Sequence, residues 1–113
     1  DDPDLAAASL RAVALMHRFN QVAAADLTAR RAVLAELLGS LGEDAEIRPP
    51  FHVDYGSYIT VGARTFVNFG AVFLDVAPIT IGEDVQMGPN VQLLTPTHPL
   101  EPGPRRAKWE AAK

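Results

Sequence analysis

Three histidines, at positions 17, 52 and 98, are the side chains of this sequence whose ordinary pKa lies near neutrality. Imidazole with that pKa can take a proton from a hydroxyl at neutral pH and so turn a weak nucleophile into a working one. There is no cysteine, which excludes a thiolate nucleophile, thiolate metal ligation and disulfide staples. The three histidines also lack the spacing of a zinc site. His17 falls in a helical pattern beside Arg18 and reads as a solvent-facing or helix-end residue. His52, in "PFHVDYG", has no clear chemical companion. His98 is different: it sits alone in "QLLTPTHPLEP", bracketed by prolines, at the end of a strongly patterned stretch. Taken by itself it would be a loop residue, so what precedes it has to decide its role.

The chain has 113 residues, 48% of them apolar and 21% charged, which suits one ordered domain. A net charge of −4 argues against a nucleic-acid partner, and the short Arg105, Arg106, Lys108 cluster is a solvated run. The sequence shows no apolar run long enough to span a bilayer and no signal-peptide pattern, so no membrane partner is expected and a cytoplasmic location is the default.

The first part reads as two helices. Asp4 is a cap for a segment reaching Asn20, with Leu5, Ala8, Ala12, Leu15, Met16 and Phe19 at helical spacing. A second segment runs from Asp26 to Leu41, striped by Leu34, Leu37, Leu38 and Leu41 and stopped by Gly42. Neither helix can bury its stripe alone, so the pair should form a hairpin over something else.

Prolines 49 and 50 then force extended chain. Beyond them Val61, Val67, Phe73, Ile79, Val85 and Val91 recur every six residues, and Gly62, Gly82 and Gly88 each follow an aliphatic residue. Six is the period of a short strand plus a tight turn, repeated with one side chain pointing inward. The phase slips once, and a two-residue insertion near residues 75–78 absorbs it. An antiparallel meander would show Asn-Gly or Asp-Gly hairpin turns, and none occurs. The expected architecture is α+β: an N-terminal helical cap over residues 1–46 and a parallel β-coil over 47–113.

With "RPPFHVDYGSYITVG", "FVNFGAVFLD", "ITIGEDVQMGPNVQLLT" and "THPLEP" in order, the chain resembles the maltose/galactoside O-acetyltransferase family of hexapeptide-repeat acyltransferases. That resemblance implies a left-handed parallel β-helix, the handedness coming from the likeness and not from the spacing. It also implies transfer of an acetyl group from acetyl-CoA, as cosubstrate and without a metal, to a sugar hydroxyl in a homotrimer with its sites between subunits. It makes His98 of "THP" the general base, and Asn68, Asp54 and Asp75 acceptor-side polar positions. Asn68 could equally be a corner residue, and Asp54 a cap on the first turn of the coil; Asn90 reads as a corner alone. The resemblance further implies coils after Lys113 that carry most of the acetyl-CoA groove, leaving this stretch incomplete at its C-terminal end. Two alternatives stand beside it: an acyltransferase with a non-sugar acceptor, and a non-catalytic piece serving only assembly or partner binding.

Overall fold

The computed structural model describes residues 3–23 and 25–95. Helix α1 (Pro3–Gln21) and helix α2 (Leu27–Leu37) are followed by nine short strands: β1 (Ser40–Leu41), β2 (Glu46–Ile47), β3 (Phe51–Val53), β4 (Ile59–Val61), β5 (Phe66–Val67), β6 (Ala71–Leu74), β7 (Ile79–Ile81), β8 (Gln86–Met87) and β9 (Gln92–Leu94). They form three parallel sheets, ordered β1-β4-β7, β2-β5-β8 and β3-β6-β9. Each strand therefore pairs with the third strand after it, which is the topology of a three-sided coil.

Every pairing has the same offset. Ser40 lies against Thr60, Glu46 against Phe66, Phe51 against Ala71 and Ile59 against Ile79, so each turn of the coil uses 20 residues. Hexapeptides alone would give 18, and the other two residues enter at one corner per turn. The expected insertion near 75–78 is one of these; residues 54–58 hold the other, one turn earlier. Its signal was in the sequence, where Leu41, Ile47 and Val53 step by six but Val61 follows after eight. The sixfold series thus changes column as it passes the insertion: Val61, Val67 and Phe73 belong to one inward column, Ile79, Val85 and Val91 to the column two residues earlier. Both point inward, since residues two apart on a strand share a face. Val61, Val67, Phe73 and Ile79 are buried, while Val85 and Val91 are partly buried in the last turn.

Two corners repeat a left-handed backbone from turn to turn. At one, Asp44, Arg64 and Asp84 take positive φ at 20-residue intervals; at the other, Gly70 and Asn90 do. Turns stack closely at the first corner: a Cβ on Gly62 would stand 2.5 Å from the carbonyl carbon and oxygen of Gly82. Arg64 bridges the stack, reaching Asp84 at 2.8 Å and Glu83 at 3.3 Å.

The helices close the first turn. Phe19, Phe51 and Phe73 line up edge to face, with centroids 6.2 and 5.2 Å apart, so one apolar core runs from α1 into the coil. The free edge of β3 is satisfied by side chains of α1. Asn20 donates to the Phe51 carbonyl at 3.1 Å and accepts from its N–H at 2.9 Å, and the Met16 sulfur accepts from Val53 N–H at 3.1 Å. Such an edge would otherwise be open to another chain. From α2, the buried Arg30 pairs with Glu46 at 3.0 Å.

Both helix boundaries differ from the sequence expectation. α1 begins at Pro3, placing Asp4 inside its first turn. α2 ends at Leu37 and not Leu41, because Leu38 is already extended and Gly39 N–H donates to the carbonyls of Gly56 and Ile59. Pairing with the coil overrides helix propensity there, and Gly42 becomes a coil corner where a Cβ would meet the backbone of Gly62 and Ala63.

Candidate functional site

The predicted polar residues fall on two corners at opposite ends of β6. Four strand residues separate them, roughly 13 Å at the rise of a β-strand.

The first corner is the extended one. Asp54 to Tyr58 make the connection between β3 and β4, and Asp75 occupies the equivalent corner one turn later. Asp75 is fully buried. One of its oxygens accepts from the N–H groups of Asp54 (3.1 Å) and Tyr55 (2.9 Å), the other from Tyr58 N–H (3.2 Å). A buried carboxylate is tolerable when backbone donors satisfy it, and here it fixes three points of a five-residue loop. Gly56 sets the bend with φ +80°, a conformation that suits glycine. Its carbonyl accepts from Gly39 and Ile59, tying the loop to the end of α2 and to β4. Thr95, one turn beyond Asp75, repeats the device: its hydroxyl donates to the Leu74 carbonyl at 2.6 Å and accepts from Ala77 N–H at 3.1 Å.

Asp54 is half-buried, and its carboxylate accepts no hydrogen bond from the described residues. Burial, and next the charge of Asp75, push that carboxyl above its ordinary value. Beside it the rings of Tyr55 and Tyr58 meet edge to face at 5.8 Å, with Tyr58 44% exposed.

The second corner carries Asn68. Its backbone N–H donates to the Met87 carbonyl at 3.1 Å and its side-chain oxygen accepts from Phe69 N–H at 2.8 Å. The side-chain NH2 has no partner among the described residues. The left-handed positions of this corner belong to Gly70 and Asn90, so Asn90 is a corner residue as expected and Asn68 is not held there by backbone conformation.

Asp54 and Asp75 therefore come together, with Asp75 behind the loop and Asp54 at its surface, while Asn68 stands apart. His98 lies outside the described residues, as do Arg105, Arg106 and Lys108. Thr95, anchored at the first corner, precedes it by three residues. His52 is exposed on β3 and His17 on α1. No group of three histidine, aspartate or glutamate side chains suited to a metal occurs among the described residues. Sequence reasoning missed the link between Asp75 and the Asp54 loop; the recurrence of Asp75 and Thr95 at one 20-residue interval was its only visible trace.

The concave spaces lie elsewhere. One of about 360 Å³ runs between α2 and the first turn, beside Phe19, Leu34 and Ile47. Another of about 530 Å³ opens between Leu27, Arg48, Pro49 and Phe69. Neither is lined by Asp54 or Asp75, so one copy does not enclose that corner.

Comparison with known proteins accounts for this architecture. The family model described as the maltose acetyltransferase hexapeptide capping motif matches residues 1–42. Nodulation protein L of Rhizobium meliloti is 43% identical over 94% of this chain and 58% of its own length. A hexapeptide-repeat acetyltransferase from Vibrio cholerae matches with a TM-score of 0.82 at 39% identity, over 88% of this chain and 56% of its own; its complex with acetyl-CoA gives 0.77 at 40%, over 80% and 49%. A galactoside acetyltransferase in complex with coenzyme A matches with a TM-score of 0.78 at 32% identity, over 80% of this chain and 46% of its own. The chain thus spans about half the length of the relatives it matches. The coil is the left-handed parallel β-helix of these structures.

Proposed function

Because the chain belongs to the maltose/galactoside O-acetyltransferase family of hexapeptide-repeat acyltransferases, we propose that the native protein transfers an acetyl group from acetyl-CoA to a sugar hydroxyl. The likeness to acetyltransferases solved with acetyl-CoA or coenzyme A carries this reading. The acceptor is the less constrained half of the reaction, since a nodulation protein stands among the relatives beside galactoside enzymes.

His98 is the general base. It takes the proton of the acceptor hydroxyl as that oxygen attacks the thioester carbonyl, and gives it to the departing sulfur. Such a base contributes roughly two to four orders of magnitude in rate. Thr95, held at the corner one turn beyond Asp75, precedes His98 by three residues in the sequence. Asp54 accepts hydrogen bonds from the sugar and holds it in line, an effect of positioning. Asp75 contributes through the loop that carries Asp54. Asn68 offers an amide donor from the other corner.

Asn68 and Asp54 lie too far apart to grip one sugar ring within a single copy, and one copy does not enclose the Asp54 corner. Both facts fit a homotrimer in which one subunit's Asn68 corner faces a neighbour's Asp54 corner. No described helix is long and apolar enough to cross a membrane; a cytoplasmic location, where acetyl-CoA is at hand, is part of this reading.

The test is acetyl-CoA consumption by the native protein against a panel of sugars, with His98→Ala beside it. The variant should lose at least about a hundredfold in turnover and still assemble as the parent does. Turnover within about threefold of the parent would remove His98 from the mechanism; no transfer to any sugar would remove the carbohydrate acceptor.

A further inference from the structure

The corner from Asp54 to Tyr58 has a second property that the proton-transfer chemistry does not use. It carries an exposed aromatic ring and a carboxylate on one five-residue loop, whose backbone is held by one buried group. Tyr58 is 44% exposed, large for a tyrosine with its backbone so firmly tied. Its N–H and that of Asp54 bind the two oxygens of the same Asp75 carboxylate, at 3.2 and 3.1 Å. The two backbone nitrogens therefore stand within about 9 Å of each other. Tyr55 packs edge-on against Tyr58 at an interplanar angle of 74° and limits the positions its ring can take.

The loop underneath is tightly fixed. A Cβ on Gly56 would stand 2.7 Å from the Leu37 side chain and carbonyl, so the bend is pressed onto the end of α2. A ring on such a support loses little freedom when a ligand covers it, which is what makes an aromatic surface an effective anchor.

A pyranose carries C–H bonds across one face and hydroxyls around its edge. The negative face of a tyrosine ring attracts the first, and an unpartnered carboxylate accepts from the second. Asp54 supplies that carboxylate, since no described residue donates to it. We propose that the Asp54–Tyr58 corner is a preformed pyranose platform, with Tyr58 stacking on the sugar face, Asp54 accepting hydroxyls at its edge, and Asp75 positioning both. This rests on the acetyltransferase reading above and adds to it a preference: ring-form glycosides over open-chain polyols.

Steady-state kinetics of the native protein, Tyr58→Ala and Tyr58→Phe test it, each with a pyranoside and with an open-chain polyol as acceptor. Tyr58→Ala should raise the pyranoside KM about five- to tenfold. The rise should fall on KM and not on kcat, and the acetyl-CoA KM should stay with the parent. Tyr58→Phe keeps the ring and should restore the pyranoside KM. The polyol KM should not respond to either change. The platform is overturned if Tyr58→Ala leaves the pyranoside KM within about twofold of the parent, if Tyr58→Phe fails to restore it, or if the polyol responds equally. Those results leave acetyl transfer itself standing. A parent protein that acetylates no sugar overturns both proposals at once, which separates the two failures.

Discussion

Removing the Asp75 carboxylate should loosen one corner of the coil before it unfolds the rest. In Asp75→Ala, the N–H groups of Asp54, Tyr55 and Tyr58 lose their acceptor together. An unsatisfied buried donor costs about 1–3 kcal/mol. Asp54 is half-buried and Tyr58 exposed, so water can reach part of the loop and the lower end of that range applies. The variant also no longer has to bury a charge, which offsets some of the loss. A net destabilisation of about 2–4 kcal/mol remains, equivalent to a fall in Tm of roughly 10 °C for a domain of this size. Asp75→Asn retains one acceptor but turns an NH2 toward Tyr58 N–H, so it should lose about half as much. Thermal melts give the total, and amide hydrogen exchange locates it. Exchange should quicken first at positions 54, 55 and 58, while Val61 and Val67 keep their protection. If Asp75→Ala melted within about 2 °C of the parent, or if exchange rose evenly over the coil, Asp75 would not be the clasp of this corner.

Stability should also depend on pH through Asp54. Its carboxyl lies above the ordinary value in the folded chain, so the folded state binds the proton more tightly than the unfolded state. That contribution is complete below the unfolded pKa and is lost as pH rises through the folded one. Relative to the parent, Asp54→Asn should therefore gain stability as pH rises from about 3 through the carboxylate range in denaturant titrations, and a parent favoured by rising pH would reverse the sign assigned here. The stacking of turns gives a paired substitution. Gly62→Ala drives a Cβ into the Gly82 backbone and should cost about 2–4 kcal/mol, while Gly82→Ala meets nothing within 4 Å among the described residues and should stay within about 0.5 kcal/mol of the parent. Equal costs at the two positions would contradict the stacking order.

The coil was legible in the sequence because a repeated turn writes its period directly into the residues. Val61, Val67 and Phe73 must be apolar to face the interior, and the corners must take residues that tolerate tight bends. Asn90 could be recognised as a corner for that reason. The helices were visible for a weaker reason, their apolar stripes. Their ends were not, since Leu38 and Gly39 look helical until a strand edge is available to pair with them.

The site was less legible. The sequence isolates His98 and the family resemblance makes it a candidate base, but neither can say that Asp54 and Asp75, 21 residues apart, share one corner. Nor can either say that Asn68, nearer to Asp75 in sequence, does not. Sequence alone determined the side chains and the repeat, because burial in a coil imposes a local period on each turn. The tertiary structure decided the division of labour between the two aspartates. Burial and three backbone donors depend on which turn stacks on which, and a 20-residue rise brings Asp75 beneath a loop that sequence distance would place far from it.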